Sequence, residues 1–152
     1  MQGSTLNYDD VARALPEAMI FSDVEGMIRA WNPAAEAVFG FAASEVLGQS
    51  LDIIIPENMR RAHWEGYNAA MERGEVVHSS PAQPSRITRA IHKSGEPLYV
   101  DMSFAVVKDA SGKVLGSFAV ARQATERFQQ ERNMRRQLSQ LQQSVQGQAS
   151  QS

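Results

Sequence analysis

Residues 23–41 read Asp23-Val24-Glu25-Gly26-Met27-Ile28-Arg29-Ala30-Trp31-Asn32-Pro33-Ala34-Ala35-Glu36-Ala37-Val38-Phe39-Gly40-Phe41, and they pass from strand to helix within a few positions. Asp23 to Gly26 has the composition of a hairpin turn, with Gly26 free to take a positive φ. On its two sides, Ala18 to Ser22 and Met27 to Trp31 are short β-like runs. Asn32-Pro33 then opens a helix. Asn32 can cap it, and Pro33 suits the first helical position, where the missing N–H has no partner in any case. Ala34, Ala35, Val38 and Phe39 give this helix an apolar side, and Gly40 stops it.

Toward the N-terminus, Tyr8, Val11, Ala12 and Leu15 recur at helical spacing, predicting a flanking helix over 8–16 that Pro16 ends. Residues 1–7 are small and polar and are expected to be disordered. Toward the C-terminus, Ser44 with Leu47-Gly48 suggests a short helical turn, and Leu51 to Ile55 is an apolar knot closed by Pro56. A longer helix is expected from Glu57 to Arg73, acidic in its first turn and basic in its last, stopped by Gly74.

Residues 78–85 form a polar, proline-containing loop, and three strands are expected after it: Arg86 to His92, Leu98 to Lys108 and Val114 to Arg122. In the middle strand Val100, Met102, Phe104 and Val106 alternate with Asp101 and Ser103, so one face is apolar. Residues 124–145 return to helical character. There Met134, Leu138, Leu141 and Val145 form a short heptad-like seam, interrupted upstream by Glu131. Residues 146–152 are Gln, Ser, Ala and Gly and are expected to be a disordered tail. Two strands, several helices and three strands make an α+β plan: one antiparallel sheet with helices on one face. Residues 17–123 then form one domain between two flanking helices.

The composition sets limits. A chain of 152 residues, 43% hydrophobic, suits one domain with its own core. A net charge of −2 argues against a nucleic-acid partner, which usually meets a basic excess. The absence of cysteine excludes disulfides, thiolate metal sites, Cys nucleophiles and any cysteinyl photoadduct. No apolar run approaches the roughly 20 residues of a membrane span, and the first residues lack a secretory pattern, so a cytoplasmic protein without membrane contact is expected.

The residues resemble the PAS sensory domains. The resemblance rests on Asp23-x-x-Gly26-x-Ile28-x-x-Trp31-Asn32-x-x-Ala35-Glu36-x-x-Phe39-Gly40-Phe41. It continues with Ser44-Glu45-x-Leu47-Gly48-Gln49, Ile54-Ile55-Pro56-Glu57, Lys93-Ser94-Gly95-Glu96-Pro97 and Arg122-Gln123-Ala124-Thr125-Glu126-Arg127. It covers about residues 12–127, in order, and departs at Gln123, where the family usually has Asp. It implies a five-stranded antiparallel sheet whose inner face, with the helices, encloses a small-molecule pocket. It also implies signalling into flanking helices, commonly within a homodimer of the kind found in bacterial two-component or transcriptional regulation.

Arg61-Ala62-His63-Trp64-Glu65-Gly66-Tyr67 is similar to the segment that carries the proximal histidine in haem-binding oxygen-sensor PAS domains. That resemblance implies His63 as a haem-iron ligand and Arg86 as the distal arginine that hydrogen-bonds O2. It also implies a pocket lining to which Met102, Phe104, Tyr67 and Ile54 belong. A neutral imidazole supplies a nitrogen lone pair to iron, and a guanidinium suits a partner carrying negative charge. Ala69 and Met71 stand where one haem-kinase group has basic residues, and His78 is the candidate replacement.

The plainer alternatives stand beside this. His63 can be an ordinary hydrogen-bonded histidine, Trp64 and Tyr67 a cover for the pocket mouth, and Trp31 a core residue. The domain is then a cofactor-free dimerisation or protein-interaction module, or a sensor of an organic ligand. Bulky Phe104, Phe118 and Met102 inside the pocket would favour the unliganded form. No phosphate loop, nucleophile elbow or zinc spacing is present, so no enzyme is expected. The homodimer is expected to use the helix from Tyr8 to Leu15 and the seam from Met134 to Val145.

Overall fold

Asn32 does more than cap a helix. A computed structural model describes residues 5–75 and 86–151, and in it this buried amide uses both its oxygen and its nitrogen. Its Oδ1 accepts from the Ala35 N–H at 3.0 Å, and from the Met19 N–H at 2.8 Å. Its Nδ2 donates to the carbonyls of Ala12 at 2.9 Å and Glu17 at 3.0 Å. One side chain therefore joins the N-terminal helix, the first strand and the second helix, with its polar atoms paired as burial requires.

The helix α1 (Tyr8–Ala14) is capped by Asn7 and packs little of its surface away. The strands β1 (Ala18–Asp23) and β2 (Ile28–Trp31) follow, and α2 (Pro33–Phe39) ends at Gly40 with φ 79°. The short α3 (Ala43–Val46) leads to two 3-10 turns, Leu51–Ile54 and Glu57–Met59, ahead of α4 (Arg60–Arg73). The expected helix start at Glu57 is thus a tighter turn, as is frequent at helix N-termini. The strands β3 (Arg86–Ile91), β4 (Pro97–Lys108) and β5 (Val114–Gln123) complete an antiparallel sheet of order β2-β1-β5-β4-β3.

The pleat decides which side chains meet the helices. In β1, Ala18, Ile20 and Ser22 are buried, and they pair with Ala121, Ala119 and Ser117 of β5. Phe118 pairs with Phe21 and so lies on the opposite face, away from the pocket side. On the inner face Ile20, Ile28, Phe39, Val46 and Val100 are fully enclosed. Trp31 belongs to this core. Its ring lies 5.2 Å from that of Phe39, and its indole donates to the Phe41 carbonyl at 3.0 Å.

The last element, α5, runs Thr125–Gln151. It corrects the expected tail: the helix continues through residues 146–151, because Gln and Ala sustain a helix and no proline intervenes. Its root is tied to β4. The Ala124 N–H donates to the Tyr99 carbonyl at 2.8 Å, and the Tyr99 N–H donates to Thr125 Oγ1 at 3.0 Å. Gln123 takes the place of the family's Asp without losing a cap, since its Oε1 accepts from the Thr125 N–H at 2.9 Å. Ion pairs join Arg127 to Asp101 and Arg122 to Glu17. No helix among the described residues is long and apolar enough to cross a membrane. The expectations for residues 1–4, for the loop 78–85 with His78, and for residue 152 lie outside the described residues.

Candidate functional site around His63

In α4, positions 63 and 67 share one face and position 64 sits beside them. Tyr67 is buried. Its hydroxyl donates to the Asp23 carbonyl at 2.5 Å and lies 2.9 Å from Ser22 Oγ, which can donate in return. Burial raises the phenol's pKa, and Asp23 adds to that against the hydrogen bond from Ser22. Tyr67 thereby fastens α4 to the end of β1.

The Asp23 it meets is itself organised. Burial pushes its carboxyl pKa upward. Hydrogen bonds from the Met27 and Glu25 N–H groups and from Arg29 outweigh that and hold it below the ordinary value. The turn at residues 23–26 is therefore shaped by one aspartate.

Trp64 is fixed at two points. Its indole N–H donates to Asp52 Oδ1 at 2.7 Å. Its far edge lies over Gly26, where φ is 82° and a β-carbon would fall 2.2 Å from the ring. Glycine is required there for the backbone conformation and for the space. Asp52 also sits 3.9 Å from the Arg60 guanidinium, which donates to the carbonyls of Asp52 and Ile55.

The His63 imidazole rests against both anchored rings, 4.7 Å from Trp64 in an edge-on contact and 5.6 Å from Tyr67. Its Nδ1 is buried and has no hydrogen-bond partner. Burial lowers the ring's pKa below 6.5, and the Asp52 carboxylate works in the opposite direction. Burial thus favours the neutral imidazole, the form that ligates a metal or accepts a hydrogen bond, and its Nδ1 is unused.

Of the other expected residues, Ile54, Tyr67 and Met102 belong to one buried cluster, against which Met71 packs. Arg86 pairs in register with Met102 across β3 and β4, and its side chain lies outside the described residues. Phe104, two residues beyond Met102 on the same side of β4, is 39% exposed and does not close the pocket as a core residue would. Sequence reasoning missed Asp52, Gly26 and Ser22 as partners of this site. A single carboxylate inside the apolar knot Leu51 to Ile55 was the available signal for the first. Two clefts lie elsewhere. One of about 300 Å³ at the root of α5 is lined by Gln123, Arg127 and Gln130, and one of about 70 Å³ by Pro56, Arg89, His92 and Pro97. Among the described residues no group of three or more His, Cys, Asp or Glu could hold a metal ion by itself.

Comparison with known proteins agrees with this architecture. The sensor protein FixL of Bradyrhizobium diazoefficiens is 38% identical over 53 residues, 35% of this chain and 10% of that protein. The oxygen sensor protein DosP of Escherichia coli is 30% identical over 84 residues, 55% of this chain and 10% of that protein. The chain thus matches about a tenth of the length of either relative. Among solved structures, an RNA-binding light-oxygen-voltage receptor superposes with a TM-score of 0.68 at 22% identity, covering 89% of this chain and 37% of the other. That likeness concerns the fold alone. A family model described as PAS fold matches residues 6–124, and with its sheet and helices in the order found here the chain belongs to the PAS fold family.

Proposed function

We propose that this PAS sensor domain takes haem against His63, senses O2, CO or redox state there, and passes the change to α1 and α5 within a homodimer. The observation that carries the reading is the buried, unpartnered Nδ1 of His63 on the segment Arg61 to Tyr67. A neutral imidazole nitrogen that no protein group satisfies fits an iron ligand. His63 would hold the group, with Tyr67, Ile54 and Met102 as its apolar surround and Arg86 in register with Met102 on the facing strands. Haem, when bound, supplies the gas-binding and redox chemistry. The chain's own residues exclude water, keep the imidazole neutral and fix its orientation. Likeness to a sensor protein and to an oxygen sensor protein supports a sensory role; the reading takes the domain as cytoplasmic and without catalysis of its own.

The homodimer reading rests on the exposed seam of α5, where Met134, Leu138, Leu141 and Val145 are 63%, 56%, 65% and 64% exposed. A heptad spacing of apolar side chains in water gains most from a second helix.

Absorption spectroscopy after haem reconstitution tests the ligand, with the wild type beside His63→Ala. A sharp Soret band that shifts on reduction and with CO, and is lost in the variant, is expected. A featureless spectrum in both would overturn haem in favour of an organic ligand or a cofactor-free interaction module.

A further inference from the structure

A histidine that presents one ring nitrogen to a ligand is usually oriented by a hydrogen bond on the other. In His63 the presented nitrogen is the buried, unpartnered Nδ1, and two aromatic rings are packed against the imidazole. Both rings that touch it are themselves fastened to other elements. Tyr67 is fastened to β1 through Asp23 and Ser22, and Trp64 to the 3-10 turn Leu51–Ile54 through Asp52 and to the β1–β2 turn through Gly26. The two rings also meet each other edge-on at 5.4 Å, so the three aromatic groups form one closed contact.

We propose that Trp64 is the positioning residue for His63: gripped at one end by Asp52 and at the other by Gly26, it holds the imidazole in place and ties any movement of it to the β1–β2 turn. This deepens the reading of His63 as the ligand-contacting residue and rests on it for its functional meaning, though the arrangement itself is a property of the protein without ligand. An imidazole displaced toward or away from a ligand must carry the indole with it. The indole cannot move over Gly26 without shifting a turn whose backbone it already touches.

The test uses the full chain, isotope-labelled and free of cofactor, with NMR of the His63 ring and of the Gly26 amide. Three variants separate the contributions: Trp64→Phe removes the indole N–H, Asp52→Ala removes its acceptor, and Asp52→Asn keeps an acceptor oxygen while removing the charge. Shifted or broadened His63 and Gly26 signals are expected in the first two, with near wild-type signals in Asp52→Asn. If the signals stay put in both Trp64→Phe and Asp52→Ala, or if Asp52→Asn moves them as far as Asp52→Ala does, the positioning role is overturned. Should Trp64→Phe fail to fold, the two Asp52 variants decide alone.

Haemin titration of the same proteins keeps the two ideas apart. With binding in the wild type, Trp64→Phe is expected to weaken it roughly 10-fold, as loss of an orienting neighbour does at metal-ligating histidines. Without a Soret band in the wild type, the haem reading falls and the NMR result still decides Trp64.

Discussion

Tyr99 of β4 and Phe128 of α5 lie ring on ring, their centroids 3.9 Å apart and their planes 12° from parallel. The stack sits between the Tyr99 hydrogen bonds to Ala124 and Thr125 and the Arg127–Asp101 ion pair, so the root of α5 is held by backbone, aromatic and charged contacts together. Phe128→Ala removes the aromatic part alone. An aromatic pair contributes about 0.5–1.5 kcal/mol beyond area burial. Faster hydrogen exchange in the first turns of α5 is therefore expected, with the sheet amides unchanged. Unaltered exchange in α5 would show that the stack holds nothing.

Asn32 offers a sharper stability test. Asn32→Ala leaves the N–H groups of Met19 and Ala35 and the carbonyls of Ala12 and Glu17 without their partner. Each buried orphan costs about 1–3 kcal/mol, so urea unfolding is expected to show a loss of at least about 2 kcal/mol. Asn32→Asp keeps the two acceptor roles and should fall between the wild type and Ala. A variant as stable as the wild type would mean that water replaces the amide.

The lowered pKa of His63 has a direct consequence for acid stability. The folded ring resists protonation, while the unfolded chain takes up a proton near pH 6.5. The neutral ring's contribution is complete above that value and declines as the pH falls below it toward the folded pKa. Urea midpoints of the wild type and His63→Gln, compared from pH 7.5 down to about 5, should therefore converge or cross as acid is added. Midpoints that move in parallel would show that burial does not depress this ring.

Gly26→Ala places a methyl group 2.2 Å from Trp64 ring atoms and imposes a positive φ on a residue that resists it. The left-handed backbone alone costs about 1–2 kcal/mol, and displacement of the indole adds to this. A fall in thermal midpoint with a shift in tryptophan fluorescence is expected. An unshifted spectrum would mean the indole had not moved.

Replacing Leu138 and Leu141 together by Asp puts charge into the seam of α5. Light scattering is expected to show a lower mass than for the wild type at the same concentration. An unchanged mass would remove α5 from the dimer.

The fold was largely legible because its punctuation is local. Gly26, Asn32-Pro33, Gly40, Pro56 and Gly74 mark turns and helix ends through backbone preferences that need no distant partner. What escaped depends on contacts between separated segments. Asn32 reads as a cap, but its Nδ2 bonds to Ala12 and Glu17 exist only once α1 has folded back. The spacing of His63 and Tyr67 placed them together, whereas nothing in the sequence pairs Trp64 with Asp52 and Gly26. Gln123 looked like a lost aspartate because the family pattern records the residue, while the structure needs only an oxygen within reach of the Thr125 N–H. The alternation of β4 placed Phe104 beside Met102 correctly, yet exposure depends on how far the helical layer reaches, which no strand pattern contains.

The 27 residues of α5 make a rod about 40 Å long at 1.5 Å per residue. A rod anchored at one end converts angle into distance: tilting it by about 5° carries the far end through about 3.5 Å, the width of a side-chain contact. Adjustments at Tyr99 and Thr125 too small to disturb the sheet are thus magnified along the helix. Mechanically, the domain is a short stage with a long pointer.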